Sequence, residues 1–232
     1  MERRIFPVFA LALLLLVYSA IEGPRRARAE NPERENISFR WAFGAVIKAG
    51  DEHRLVAITR DTELRTGDRI KMLVELKKKC FVYLFYCDER DNLHMLFPYS
   101  LEQFSENYEI SRKYYIPQGT GWFQLDRDVG LETFYLLASS NRLMDLEKLY
   151  ANYLSADSSG RKALAGEIVA KIHEIRKQRK KLTTEAERPV IIGGGRRGVL
   201  KGNRAEFPDI DPFAGEVRAG DFYSRAFTIK HR

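Results

Sequence analysis

The amino-acid sequence predicts a mainly β protein: an antiparallel, β-sandwich-like domain with a helical hairpin inserted toward its C-terminal end and packed on the sheet. An α+β arrangement is the alternative. Three observations carry the prediction. Eight short apolar runs lie between residues 37 and 138, separated by turn chemistry. Two later segments carry apolar residues at helical rather than alternating spacing. The chain then ends on "FYSRAFTIKHR", in which Phe222, Phe227 and Ile229 read as a closing strand that returns to the sheet.

The first strand run is "ISFRWAFGAV", where Phe39, Trp41 and Phe43 alternate with smaller or polar residues. It is followed by Leu55–Thr59, Ile70–Leu76, Cys80–Tyr86, Leu93–Phe97, Tyr108–Ile116, Trp122–Leu125 and Leu131–Ala138. "TGD" at 66–68, "DERDN" at 88–92 and "PQGTG" at 117–121 supply the residues that turns require. The run "CFVYLFY" is apolar on both alternating faces, so that strand must be covered from two sides. A sandwich core covers one of them.

The second cover comes from the helices, expected at about 141–155 and 160–182. Leu143, Leu146, Tyr150 and Tyr153 form one stripe, and Leu164, Ile168, Ile172 and Ile175 another. Ser140 or Asn141 is the expected cap of the first helix, with Asp145 suited to its first turn and "SADSSG" separating the pair. A basic Gly/Pro loop is expected at about 188–220. Because the chain ends on a strand, the helices are read as an excursion within one β-rich domain at 37–232.

Residues 1–29 read as a signal peptide or an N-terminal membrane anchor, followed by a polar spacer at 30–36. "MERR" precedes an apolar run from Ile5 to Ala20, and "ARA" at 27–29 offers a small-x-small exit. The apolar run also approaches the length of about 20 residues that spans a bilayer. Either reading places the remainder outside the cytoplasm, periplasmic or anchored facing the periplasm.

The full chain carries a formal charge of +7, and the leader takes five Arg and two Glu with it, leaving +4. What remains is uneven: residues 161–204 hold thirteen Lys or Arg against four Glu. A nucleic-acid partner is disfavoured by compartment. The positive run Lys171, Arg176, Lys177, Arg179, Lys180 and Lys181, with Arg196 and Arg197 in the loop, is the candidate contact for an envelope protein, a glycan or an anionic lipid surface.

Cys80 and Cys87, seven residues apart on one strand, would lie about 23 Å from each other, too far for a disulfide, and on opposite faces. Both read as buried thiols. The glycines at 193, 195 and 198 match G-x-G-x-x-G, but Gly198, Gly202, Pro208 and Pro212 deny the loop the following helix a dinucleotide site needs. His53, His94, His173 and His231 lack metal-ligand spacing, no serine-nucleophile motif occurs, and "DERD" at 88–91 lacks calcium-loop spacing. No catalytic, metal or cofactor residue is therefore expected.

The stretch from "LRTGDRIKMLVELKKKCFVYLFYCDERDNLHMLFP" through "YYIPQGTGWFQLDRDVGLETFYLLASSNRL" resembles the bacterial domain of unknown function 4384 family. The resemblance rests on the Gly67-Asp68 turn, the "VYLF" strand, "LFP" at 96–98, "IP" at 116–117 and "LLAS" at 136–139, within about residues 60–150. It implies an exported β-rich module and carries no catalytic residue. The expected function is that of a non-enzymatic bacterial envelope domain that binds a partner. The rival is a hydrolase whose acids and histidines converge in space, with His94 beside two of Asp88, Asp91, Asp126 and Asp128 as its signature.

Overall fold

The computed structural model describes residues 36–50, 52–179, 186–188 and 208–232. Nine strands precede the helical pair: β1 (Ile37–Ala49), β2 (Glu52–Ala57), β3 (Asp61–Leu64), β4 (Arg69–Leu76), β5 (Phe81–Cys87), β6 (Leu93–Phe97), β7 (Lys113–Ile116), β8 (Phe123–Gln124) and β9 (Gly130–Ser139). A short helix α1 (Gln103–Glu106) sits between β6 and β7. Helices α2 (Met144–Ser155) and α3 (Ser158–Arg179) follow, then β10 (Ala186–Arg188), β11 (Gly215–Ala219) and β12 (Phe222–His231).

The strands form two sheets. In the first the order is β10-β11-β1-β4-β7, with β2 also on β1 and β8 also on β4. In the second it is β3-β12-β9-β5-β6. Described pairs are antiparallel except β3 with β12, which is parallel. The long β1 serves two partners along one edge, β11 over Ile37–Trp41 and β2 over Gly44–Ala49. The closing strand pairs with β9 from Phe222 opposite Ser139 to His231 opposite Gly130, so the C-terminal residues are central to their sheet.

Side-chain parity explains the layers. Phe39, Trp41 and Phe43 of β1, Met72 and Val74 of β4, Val82 and Leu84 of β5, Phe134 and Leu136 of β9 and Phe227 of β12 fill the space between the sheets. The opposite parity of the second sheet, Tyr83, Phe85, Tyr135, Leu137 and Phe222, meets Leu146, Tyr150, Tyr153, Ile168, Ile172 and Ile175 of the helices. Strand β5 is thus covered from both sides, as its two-faced apolar run requires. Each large apolar side chain so buried contributes about 1.5–3 kcal/mol. Cys80 joins the inner core, whereas the half-buried Cys87 packs on the helical side, and both thiols are free. Burial pushes both up to about 11.

Four sequence expectations are corrected. The segment expected as strand from Tyr108 is strand only from Lys113, because the chain first turns through Ser111 at φ 67°. The Tyr108 and Tyr114 hydroxyls there accept the N–H groups of Val82 and Glu109. The first helix begins at Met144 rather than 141, and neither Ser140 nor Asn141 caps it. Instead the Leu143 N–H donates to the Tyr83 hydroxyl at 2.9 Å, and that hydroxyl donates to Glu147 at 2.6 Å. Arg142 closes this knot with bonds to both Glu147 oxygens. The second helix starts at Ser158, where the Asp157 carboxylate accepts the Gly160 N–H. Finally, the expected loop at 188–220 contains β11 and a 3-10 turn, Asp211–Phe213. Ile210 and Ala214, flanking that turn, cover Ala42 and Leu73 on the outer face of the first sheet.

Turn residues act as their chemistry requires. Gly67 has φ +91°, and the neighbouring Asp68 carboxylate accepts the N–H groups of Lys48 and Arg65. At the β5–β6 hairpin Asp88 accepts from the N–H groups of Arg90 and Asn92 and from the Asn92 side chain.

Candidate functional site

The outer face of the first sheet carries a concave feature lined by both charged and aromatic residues. Alternation along β4 sends Met72 and Val74 inward and leaves Arg69, Lys71 and Leu73 on the outer parity, where Tyr115 of β7 lies opposite Leu73. The "PQGTG" segment folds back over this face. Lys71 Nζ donates to the carbonyls of Gly119 at 2.7 Å and Gly121 at 2.6 Å, and lies 5.4 Å from the Tyr115 ring centre and 5.8 Å from that of Trp122. Gly119 turns with φ +72°, which presents its carbonyl without a Cβ penalty.

These residues line a cleft of about 860 Å³ together with Gln124 and Asp209. Asp209 accepts a hydrogen bond from the Tyr115 hydroxyl at 3.0 Å, and Gln124 accepts from Arg69 Nε at 3.1 Å. Burial lowers the Lys71 ammonium from its ordinary value against the opposing field of Asp209, and burial plus the bond to Asp209 pushes Tyr115 up to about 12. A second cleft of about 440 Å³, lined by Tyr99, Gln103, Asn107, Arg112 and Gln118, shares Tyr115 and Gly119 with the first. Beside them an ion-pair network ties the 3-10 turn to the sheet. Arg40 meets Glu75 at 2.7 Å and Asp211 at 3.0 Å, Lys113 meets Asp211 at 3.1 Å, and Lys77 also bonds Glu75.

The basic run on the second helix is divided by its surroundings. Arg176 donates to the Ser224 hydroxyl at 3.3 Å, and Arg179 donates to Ser139 at 3.2 Å while stacking over the Phe222 ring, so both bind the helix end to the second sheet. Lys171 pairs with Glu174 at 3.0 Å and Asp145 at 3.8 Å, and Lys177 is exposed. Lys180, Lys181, Arg196 and Arg197, and the glycines at 193, 195 and 198, lie outside the described residues.

His94 and the hairpin acids have separate partners. His94 stacks on Tyr86, Asp88 is occupied by its own turn, Arg90 pairs with Asp128 at 2.7 Å, and Asp126 accepts the Asp128 N–H. Among the described residues no group of three or more His, Cys, Asp or Glu is arranged to hold a metal ion, and no helix is long and apolar enough to cross a membrane.

One titratable cluster was missed by motif reading. Glu132 accepts from the Tyr86 hydroxyl and lies 3.5 Å from His231 Nδ1, and His231 Nε2 is 3.2 Å from the Thr66 hydroxyl. Glu132 and His231 are 4% and 3% exposed. The signal was parity: Glu132 and His231 take the inward positions of strands whose other inward residues are Phe134, Leu136, Phe227 and Ile229. Burial holds the Glu132 carboxyl above its ordinary value, with Glu89 adding to the rise and Tyr86 and His231 opposing it. A raised folded-state value gives stability that is fully present below the unfolded value and is lost as pH rises through the folded one. Glu132→Gln, always neutral, is therefore expected to gain on the wild type as pH rises from about 4.5 toward neutrality, in urea melts taken across that range. A pH-independent difference would contradict it.

Residues 63–142 match the family model Domain of unknown function (DUF4384). The DUF4384 segment covers about a third of the chain, inside the stretch of resemblance read from the sequence. It runs from the end of β3 through β9 and so contributes strands to both sheets. It also contains Arg69, Lys71, Tyr115, Trp122 and Gln124 of the cleft, whereas Asp209 lies outside it. Within the matched residues, the "LFP" and "IP" stretches of this chain carry the two cis X-Pro bonds found among the described residues, Phe97–Pro98 and Ile116–Pro117. No curated protein and no solved structure matches the chain.

Proposed function

We propose that this protein is an exported bacterial envelope protein that acts as a non-enzymatic interaction module, holding a partner at the cleft on the outer face of its first sheet. The observation that carries this reading is the pairing of the Lys71 ammonium with the Tyr115 and Trp122 rings at the floor of an open, polar-rimmed cleft. A rigid sheet presents these groups, and concave sites with a few convergent polar groups are where ligands bind. The leader at 1–29 supports export, and the polar, aromatic lining favours a glycan or protein partner over a lipid surface.

The test has two parts. Expressed in a bacterium with two membranes, the full chain should be recovered with the periplasmic or membrane fraction, and recovery in the cytoplasm alone would defeat the localisation. Purified protein should then sediment with isolated envelope material and be released by salt. Absence of any such association would defeat the interaction reading.

A further inference from the structure

A lysine that loses its water needs a counter-charge, because burying an ammonium in a dry site is unfavourable unless it is paired and hydrogen-bonded. Lys71 is 5% exposed. Its hydrogen-bond partners are two backbone carbonyls, which satisfy two of its three N–H groups and bring no charge. Among the described residues no carboxylate lies within ion-pair distance of it: Asp209 acts on it only through its field, while one oxygen of Asp209 accepts from the Tyr115 hydroxyl and the Asp211 N–H. The sheet therefore holds a desolvated cation at the floor of a cleft open to solvent.

We propose that this cleft is a subsite for an acidic sugar within a glycan chain, the sugar carboxylate pairing with Lys71 while its ring lies along Trp122 and Tyr115. This inference rests on the interaction-module reading and names the ligand class. Three features select it. The volume of about 860 Å³ accommodates a saccharide unit. The second cleft shares Tyr115 and Gly119 with the first and adds amide groups at Gln103, Asn107 and Gln118, suited to the hydroxyls of a neighbouring unit. Arg69 and Lys71 outnumber Asp209 among the charged residues that line the first cleft, whereas Arg112 and Lys113 of the second are paired with Glu109 and Asp211, so the excess positive charge, complementary to an anionic sugar, lies in the first.

A peptide added as a strand would need the outer edge of β7. The Tyr99 hydroxyl already donates to the Tyr115 carbonyl there, at 2.7 Å.

The experiment titrates the full chain with galacturonic acid tetrasaccharide and with its methyl ester, which keeps the rings and removes the charge. The acid form is expected to bind at least about 10-fold more tightly, as a charge-assisted contact predicts, and to weaken with salt. Lys71→Met, which keeps the apolar stem, should abolish the preference. Trp122→Ala should weaken both forms alike. Equal binding of acid and ester, no binding of the acid form, or a preference retained in Lys71→Met would overturn the subsite. The wild-type comparison decides even if a variant fails to fold. Envelope association that neither tetrasaccharide competes for would overturn the subsite and leave the interaction module standing. Loss of envelope association altogether would remove both.

Discussion

Phe134→Ala is expected to lower the free energy of unfolding by about 3–5 kcal/mol, read from urea denaturation of wild type and variant at equal m-value. Phe134 is 2% exposed and sits where both sheets meet. Its ring is 5.0 Å from Phe43 of the first sheet and 4.9 Å from Tyr86 of the second. Phe43 in turn contacts Phe227 edge-on at 5.5 Å, so truncation breaks a chain of four aromatic rings that crosses the sandwich. The cost combines lost transfer free energy with a cavity that strands fixed by ladders on both sides cannot close. A loss under about 1 kcal/mol would mean that the inter-sheet core collapses onto the gap, contrary to a sandwich packed at this point.

Ile168→Ala is expected to cost about 2–5 kcal/mol, nearly as much, although it lies in the helical layer. Ile168 is fully buried in the cluster that joins the helices to Tyr83, Phe85 and Leu137 of the second sheet. Most helical stability in proteins comes from the packing of an apolar face rather than from propensity, so α2 and α3 owe their stability to this face. Ile168→Asp would place a charge against apolar neighbours and free the helices, lowering helical circular dichroism and exposing β5 and β9 to a hydrophobic dye. If helices and sandwich are one cooperative unit, tryptophan fluorescence and far-ultraviolet circular dichroism should report coincident transitions in wild type. A separate, earlier helical transition would assign the helices to an independent unit.

How much was legible follows from the range of each signal. The two-faced run around Tyr83 required a second covering layer, and the Ile168–Ile175 stripe showed which segment supplies it, because both are periodicities contained within a single element. Glu132 and His231 were legible only in part. Their inward parity could be read from neighbouring aromatics, but that Tyr86 and Thr66 would reach them depends on strand order. The Ser140/Asn141 cap failed for the same reason: the group that meets the start of the helix is the Tyr83 hydroxyl, distant in sequence and fixed by tertiary packing. Likewise the apparent loop before β12 hid Ile210 and Ala214, whose burial depends on the sheet face they reach.

The cleft shows the same division. Lys71 reads as an ordinary polar residue in "DRIKMLVEL", and "PQGTG" reads as a turn. Only their meeting puts an ammonium beneath two carbonyls and between two rings.

The sequence by itself therefore determined most of the core strands, the helical pair, the sandwich class and the need for a helical cover, since alternation at period two and apolar stripes at period 3.6 act within a few residues of one another. The tertiary structure alone decided which strands are neighbours, which buried polar groups find partners, and that a desolvated lysine faces an open cleft. Those outcomes depend on contacts between residues far apart in the chain, and no local periodicity encodes them.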